Sequence, residues 1–113
     1  MPLKQDTKLD LLQGTLDMMV LRTLLAGAAN GYEIAKAIER LSEDVLQVDH
    51  GSLYPALHRL EKNGLIAGKW EVSSTKRRAR YYRLTAAGRK RLTLERSKWR
   101  QMAAAISRVM RPA

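Results

Sequence analysis

Residues 51–65 read GSLYPALHRLEKNGL, and this stretch decides the fold. Its apolar residues recur at helical spacing, so one side of a helix is expected to be buried. Ser52 is the expected N-cap, and Pro55 is expected in the first turn, where a missing N–H is tolerated. Gly64 predicts the left-handed residue that ends the helix. The residues expected to face inward are Leu53, Leu57 and Leu60.

Two short strands around a polar loop are predicted after this helix. Apolar and aromatic residues alternate over residues 65–72 and return from Tyr81 to Leu84, so residues 73–80 form the expected tip. Tyr81 and Tyr82 point to opposite faces, which predicts one in the core and one supporting the hairpin. A helix followed by such a hairpin is typical of a winged helix-turn-helix.

Two more helices are predicted upstream. Leucines at three- and four-residue spacing indicate a first helix over residues 8–25, in which Gly14 would allow another helix to cross closely. Asn30 and Glu33 form a capping-box pattern at the start of a second helix. Its expected buried stripe is Ile34, Ile38 and Leu41.

Thr85 is the expected cap of a last helix of about 26 residues, about 39 Å long, that ends before Pro112. The fold class is therefore mainly α (α+β): a winged helix-turn-helix with a two-stranded wing and a long C-terminal helix. We expect residues 1–85 to form the DNA-binding domain and residues 86–113 a dimerisation helix, together one compact unit.

The last helix is too long for one small core to cover. Leu92, Trp99 and Ile106 are spaced by seven, and they are interleaved with Glu95, Met102 and Val109. This heptad seam predicts a homodimer and a pseudo-palindromic operator with half-sites about 34 to 36 Å apart or a multiple of that. The alternative is that this helix packs only on the first helix of its own chain. The expected dimerisation residues are Leu92, Trp99, Met102, Ile106 and Val109.

The charge is strongly asymmetric. The chain has a formal net charge of +10, yet residues 52–113 alone hold sixteen Lys and Arg against three Asp and Glu. Such asymmetry indicates a polyanionic partner, and nucleic acid is favoured over an anionic membrane. A solvated basic face is the alternative.

Two surfaces would carry this binding. The outward side of the third helix would read base edges, with Ser52 also offering backbone N–H groups to a phosphate, and the basic loop would contact the DNA backbone or minor groove. Alternatively, Ser52 serves only as the N-cap of the third helix, and Tyr54 only packs against neighbouring residues without contacting DNA. The outward residues are Ser52, Tyr54, Pro55, His58, Arg59 and Lys62. The loop cations are Lys76, Arg77, Arg78, Arg80 and Arg83.

Several function classes are disfavoured by composition. The absence of cysteine removes disulfides, zinc–thiolate sites and thiol chemistry and fits a cytoplasmic protein. His50 and His58 are the only histidines, and no metal-ligand or catalytic spacing surrounds them, so neither an enzyme nor a cofactor is expected. No apolar run is long enough to cross a membrane, and neither secretion nor membrane insertion is indicated.

Four motifs together give the chain a close resemblance to the PadR family of transcriptional regulators, in its compact form with one long C-terminal helix. They are residues 11–17 (LLQGTLD), 31–35 (GYEIA), 51–61 (GSLYPALHRLE) and 77–88 (RRARYYRLTAAG). Ala28 departs from the proline expected before the second helix, which affects only the rigidity of that turn.

The resemblance implies a homodimeric repressor whose last helix, helped by the first, makes the dimer. The third helix and wing would contact double-stranded DNA, and Tyr32 joins the expected DNA-binding residues. Some relatives bind aromatic or cationic compounds between subunits, and Trp99 stands at the corresponding position, either as an effector site or as plain core. The rival interpretations are an RNA- or protein-binding winged helix without effector response and a pure oligomerisation module.

Overall fold

The computed structural model describes residues 13–112 and confirms the predicted winged helix-turn-helix with a long last helix. The helices are α1 Gln13–Thr23, α2 Gly31–Leu41, α3 His50–Lys62 and α4 Ala86–Met110, and the strands are β1 Ala29–Asn30, β2 Ile66–Val72 and β3 Arg78–Leu84. Residues 8–12 of the predicted first helix lie outside the described residues, and a 3-10 turn, Leu24–Ala26, follows α1.

The sheet has one strand more than the sequence predicted. The hairpin of β2 and β3 pairs from Ile66 with Leu84 to Val72 with Arg78, and β1 adds to the other edge of β3 through Ala29 and Asn30. β1 has only two residues, too short for an alternating pattern to show in the sequence. It ties the start of α2 to the base of the hairpin.

The core lies between α1, α2, α3 and the base of the hairpin. The three inward leucines of α3 are all buried, as predicted, and Tyr82 is the core tyrosine of the pair on β3 while Tyr81 is half-buried. Leu41 was expected in the buried stripe of α2, but it is 57% exposed because α2 ends there, beyond the packing of Ile34 and Ile38. Among residues 13–112, Gly14 is not in close contact with another helix, since a Cβ placed there would meet nothing within 4 Å.

The start of α3 differs from the sequence prediction. Asp49, not Ser52, is the N-cap: its Oδ1 accepts a hydrogen bond from the Ser52 N–H at 2.8 Å. Both residue types cap well, so the local sequence alone does not separate them. Because α3 begins at His50, Pro55 lies inside the helix and not in its first turn.

The other helix ends agree with their sequence signals. The Asn30 side chain accepts from the Glu33 N–H at 2.9 Å, and the Glu33 carboxylate accepts from the Asn30 N–H at 2.9 Å, which completes the capping box. Gly64 has φ +73°, and the Thr85 hydroxyl accepts from the Gly88 N–H at 3.0 Å. These ends fix the positions of α2 and α4 relative to the hairpin.

α4 is held by the core only at its beginning. Leu92 is buried, whereas Trp99, Ile106 and Val109 are 49%, 51% and 81% exposed. The described chain is correspondingly elongated, with extents of 56 × 36 × 21 Å. The apolar seam along the second half of α4 is therefore uncovered in a single chain.

Candidate nucleic-acid interface

The outward side of α3 presents most of the residues that the sequence placed there. Leu53, Leu57 and Leu60 face the core, and this orientation leaves the intervening positions exposed. The exposed residues are Ser52, Tyr54, Pro55, His58 and Lys62. A helix that enters a DNA groove presents an exposed side with polar and basic groups such as these.

The N-terminus of α3 is not an open anion site. The Asp49 carboxylate occupies the Ser52 N–H that the sequence analysis assigned to a phosphate, and the Ser52 hydroxyl lies 3.4 Å from Asp49 Oδ2. An acidic cap at this position repels a second anion at close range. The expected phosphate contact through the Ser52 N–H is therefore disfavoured by the structure, although the Ser52 hydroxyl remains at the surface.

Arg59 was expected on the outward side, but the structure turns it towards α1. Its Nη2 donates to Asp17 Oδ1 at 2.8 Å, and its Nε donates to Asp17 Oδ2 at 3.4 Å. This two-point pairing joins residues far apart in sequence and holds α3 against α1. Arg59 therefore supports the orientation of α3 against α1.

Arg59→Ala and Asp17→Asn are each expected to lower the free energy of unfolding by about 1 kcal/mol, because the pair is partly shielded from solvent. The double variant should lose no more free energy of unfolding than either single variant, since each single substitution already removes the interaction. Urea unfolding measures this cycle, and exposed His58→Ala is the matched control, expected within about 0.5 kcal/mol of the parent. Additive losses would contradict the pairing.

The tip of the hairpin is a short, closed loop over residues 73–77. The Ser73 N–H donates to the Arg77 carbonyl at 2.8 Å, and the Lys76 N–H donates to the Ser73 carbonyl at 2.9 Å. Lys76 has φ +62°, the left-handed conformation that closes this turn. Because β3 begins at Arg78, the loop is shorter than the predicted tip of residues 73–80.

Three of the five predicted loop cations are available to an anion. Lys76, Arg77 and Arg78 are exposed, and none has a carboxylate partner within residues 13–112. Arg83 instead lies 3.6 Å from Glu71, and Arg80 donates from Nη2 to Glu61 of α3. Lys76, Arg77 and Arg78 repel one another, so a polyanion that binds at the tip of the hairpin is favoured.

Arg80 links the hairpin to α3. Its side chain crosses β2 at Gly68, where a Cβ would fall 2.6 Å from the Arg80 Nε, and it ends at Glu61. The hydrogen bond to Glu61 raises the pKa of Arg80, so the guanidinium stays charged. Burial raises the pKa of the adjacent Tyr82 phenol, which stays neutral. The contact joins β3 of the hairpin to the last turns of α3.

An aromatic cleft of about 450 Å³ lies between the outward side of α3 and the basic hairpin. It is lined by the start of α2, the start of α3 and the two hairpin strands, with Tyr32, Tyr54 and Trp70 each more than half exposed. The Tyr54 ring lies 3.3 Å from where a Cβ of Gly31 would be, so this glycine lets α3 approach α2. The cleft places the start of α3 and the basic hairpin on one continuous surface.

Trp70 is a feature that sequence reasoning did not assign to the site. The Arg78 Cζ lies 5.2 Å from the centre of its ring, and the Arg80 Cζ lies 5.8 Å from it. Such cation–π contacts restrict a guanidinium without neutralising it. The pairing of the two strands could have indicated this contact, because Trp70 lies directly opposite Arg80 in the register of the hairpin. Trp70 therefore orients the exposed Arg78.

The uncovered seam of α4 borders a second, apolar cleft of about 440 Å³ against α1. Trp99, Met102 and Ile106 form one wall, and Gly14, Thr15 and Met18 form the other. Leu92 is buried within its own chain and does not reach this cleft. Within residues 13–112, no group of acidic or histidine side chains could hold a metal ion, and no helix is long and apolar enough to span a membrane.

The fold and this surface define the chain as a winged-helix protein of the transcriptional-regulator class. The model of the PadR-like family of transcriptional regulators matches residues 20–94. The chain belongs to that family, which consists of regulators and not enzymes, and membership implies DNA binding.

Individual relatives agree with this assignment. A transcriptional regulator of Mycobacterium tuberculosis is 39% identical over 83 residues, which cover 74% of this chain and 77% of the relative. The structure of a transcriptional regulator from Clostridium thermocellum has a TM-score of 0.80 and 32% identity, covering 88% of this chain and 96% of that chain. A PadR family regulator from Eggerthella lenta has a TM-score of 0.73 and 30% identity, covering 89% and 86% of the two chains.

Proposed function

We propose that this regulator binds double-stranded DNA sequence-specifically as a homodimeric repressor that a small-molecule effector releases. The observation that carries the proposal is the continuous surface formed by the outward side of α3, the aromatic cleft and the three unpaired cations of the hairpin tip. Base edges are read from a helix in the major groove, while flanking cations position the protein on phosphates. We also propose a cytoplasmic location, because the DNA that the protein would bind lies there.

The proposed roles divide between reading and positioning. His58 and Lys62 are exposed on α3 and reach base edges, with Ser52 and Tyr54 at the start of the helix. Lys76, Arg77 and Arg78 contact phosphates, and Tyr32 flanks the cleft. Arg59 and Arg80 hold the reading helix in place, because each is already bound to a carboxylate.

The homodimer is proposed from the second half of α4. Trp99, Met102, Ile106 and Val109 expose apolar surface at heptad spacing, and burying it against a second copy is favourable. Leu92 is left out of this interface, since its own chain already covers it. The division into residues 1–85 and 86–113 is kept as a functional one, with the start of α4 packed into the winged core.

Repression and effector release are proposed from family resemblance together with the position of Trp99. Trp99 is 49% exposed on α4, the helix along which the two copies would join, so a ligand there would alter the spacing of the two α3 helices. Adding planar aromatic compounds and measuring operator affinity tests this step, and an unchanged affinity contradicts it.

A winged helix that binds RNA is the second candidate, because cations at the hairpin tip do not distinguish the deoxyribose of DNA from the ribose of RNA. An exposed reading helix suits the major groove of DNA, whereas the major groove of A-form RNA is too narrow for it. Competition between duplex DNA and structured RNA of equal length decides between them, and preference for RNA would contradict the proposal.

Arg77→Ala together with Arg78→Ala is expected to weaken binding to all duplex DNA and to flatten the dependence of log K on log salt by about one unit per lost phosphate contact. His58→Ala should weaken mainly the specific site, by about 1–3 kcal/mol. Fluorescence anisotropy with specific and random duplexes over a salt series measures both.

Arg108→Ala with Arg111→Ala is the matched control for this pair, because it removes the same charge at the far end of α4. It should leave the salt dependence close to that of the parent. The Arg77 and Arg78 double variant and the His58 variant are each compared on the specific and the random duplex. If both variants change the two affinities in equal proportion, the division between reading and positioning is wrong.

A further inference from the structure

The tip of the hairpin carries one lysine directly beside two arginines. Lys76, Arg77 and Arg78 follow one another in the chain, all three are exposed, and none has a carboxylate partner among residues 13–112. Lys76 has φ +62°, and its N–H donates to the Ser73 carbonyl at 2.9 Å, so its backbone is fixed in a closed turn. The Lys76 amine is therefore presented to solvent at a defined end of the fold.

Most of the other described lysines have different surroundings. Lys36 and Lys98 each lie 3.9 Å from a glutamate three residues away on their own helices. Lys62 follows Glu61 at the end of α3. Lys69 is exposed on β2 of the same hairpin, and its neighbours in the chain are uncharged. Lys69 is therefore the matched lysine for comparison, because it has the exposure of the tip lysine without the adjacent arginines.

Lys90 is the nearest parallel to the tip lysine, since it is exposed and lies between Arg89 and Arg91 in α4. Successive side chains of an α-helix point about 100° apart, so these two arginines diverge from Lys90. At the hairpin tip the Arg78 guanidinium is instead restricted by the Trp70 ring, whose centre lies 5.2 Å from its Cζ. The tip thus holds a guanidinium in place beside a lysine.

Two unpaired guanidinium groups beside an amine attract a reagent that carries a phosphate. Arginine binds phosphate oxygens through parallel N–H donors, and a basic surface raises the local concentration of an anion about tenfold or more. An acyl phosphate joins such an anion directly to an acyl group that amines attack. A phosphate held by Arg77 and Arg78 brings this acyl carbon within reach of the Lys76 Nζ.

We propose that Lys76 is a site of modification by acyl phosphates, guided by Arg77 and Arg78. The unprotonated Nζ attacks the acyl carbon and forms the C–N bond, while the bond between that carbon and the phosphate oxygen breaks. The phosphate leaves with the bonding electrons and takes up the proton from the nitrogen. The products are an amide on Lys76 and inorganic phosphate. Because the amide has no charge, the tip loses one of its three cations.

Acetyl phosphate and acetic anhydride together separate guidance by the arginines from simple exposure. Both reagents transfer an acetyl group, but acetic anhydride has no charge. Acetyl phosphate is expected to modify Lys76 about tenfold faster than Lys69, whereas acetic anhydride should modify the two exposed lysines at similar rates. Mass spectrometry of the digested protein, sampled at low conversion, measures the acetylated fraction of each lysine.

Arg77→Ala with Arg78→Ala should lower the rate at Lys76 about tenfold with acetyl phosphate and leave the rate with acetic anhydride unchanged. Arg108→Ala with Arg111→Ala removes equal charge at the far end of α4, and it should leave both rates unchanged. Circular dichroism of each variant before the reaction shows that the compared proteins are folded.

Three outcomes would overturn the modification site. The first is an equal rate at Lys76 and Lys69 with acetyl phosphate. The second is a variant without Arg77 and Arg78 that keeps the preference for the tip lysine. The third is a rate at Lys90 equal to that at Lys76, because the geometry of the hairpin tip would then contribute nothing.

The consequence for DNA rests on the proposed function. Lys76→Gln, which imitates the uncharged amide, should weaken binding to random duplex DNA and flatten the dependence of log K on log salt by about one unit. Lys76→Arg keeps the charge without an amine that acyl phosphates modify, and it should bind as the parent does. Lys90→Gln is the control that removes equal charge outside the hairpin, and it should leave the salt dependence close to that of the parent.

The two sets of measurements keep the proposals distinguishable. Preferred acetylation of Lys76 with unchanged duplex binding by Lys76→Gln would support the modification site and contradict the proposed contact of the tip with DNA. Duplex binding that depends on Lys76, without any preferred acetylation, would refute the modification site alone. If both proposals hold, bound duplex should also protect Lys76 from acetyl phosphate.

Discussion

Ile106→Arg is expected to convert the protein into a monomer and to lower its affinity for the operator by about 10²- to 10⁴-fold, because the second half-site is then no longer engaged by a linked copy. Ile106 is half exposed and lines the apolar cleft beside Trp99 and Met102. An arginine there would place an unpaired cation in the interface of two helices that are already strongly basic.

The sign of the charge makes this experiment discriminating. An added cation strengthens nonspecific attraction to DNA, so a fall in the operator affinity of a folded variant is opposite to the direct effect of the charge and indicates the lost dimer. Ala104→Arg is the matched control: it adds the same charge to an exposed position of α4 outside the apolar cleft, and it should leave the protein dimeric. Sedimentation velocity and operator titration measure both variants, and a dimeric Ile106→Arg protein would contradict the interface.

Gly88→Ala should lower the free energy of unfolding by about 3 kcal/mol, at the upper end of ordinary overpacking. A Cβ at this position would lie 2.1 Å from the Leu65 carbonyl oxygen and 2.7 Å from Leu84 Cδ1. The carbonyl belongs to the backbone at the start of the hairpin and accepts from the Thr85 N–H, so it cannot move without releasing α4. The gain in helix propensity, about 1 kcal/mol, is too small to offset this.

Ala87→Gly isolates the propensity effect next to it, since Ala87 is exposed, and it should cost about 1 kcal/mol. Both variants are compared with the parent by urea unfolding at one protein concentration, because dimerisation shifts apparent stability by mass action. A Gly88→Ala protein as stable as the Ala87→Gly protein would show that α4 does not pack closely on the hairpin at this point.

The sequence predicted those features that depend on local periodicity and capping. Leucines at helical spacing placed the buried side of α3, and Asn30 with Glu33 marked the start of α2, because each signal lies within one turn of the element that it defines. Asp49 and Ser52 could not be separated in the same way, since both residue types cap well and Pro55 favoured the later start.

The features that the sequence did not reveal depend on tertiary contacts. Arg59 meets Asp17 across 42 residues, and Arg80 meets Glu61 across 19, so neither pairing leaves a local pattern. An arginine in a basic run looks the same whether it faces a phosphate or a carboxylate. β1 is a strand only because β3 lies beside it. The site residues therefore needed the fold before supporting cations could be separated from exposed ones.

We propose that two copies, joined along α4, present their α3 helices and basic hairpins to one side of a duplex. Hydroxyl-radical footprinting on a duplex selected from the genome by the purified protein tests it most directly, with the stoichiometry taken from sedimentation of the same complex. We expect two chains per duplex and two protected patches on one face, with centres about 34 to 36 Å apart or a multiple of that. A single patch bound by one chain, or no protection at low ionic strength, would contradict it.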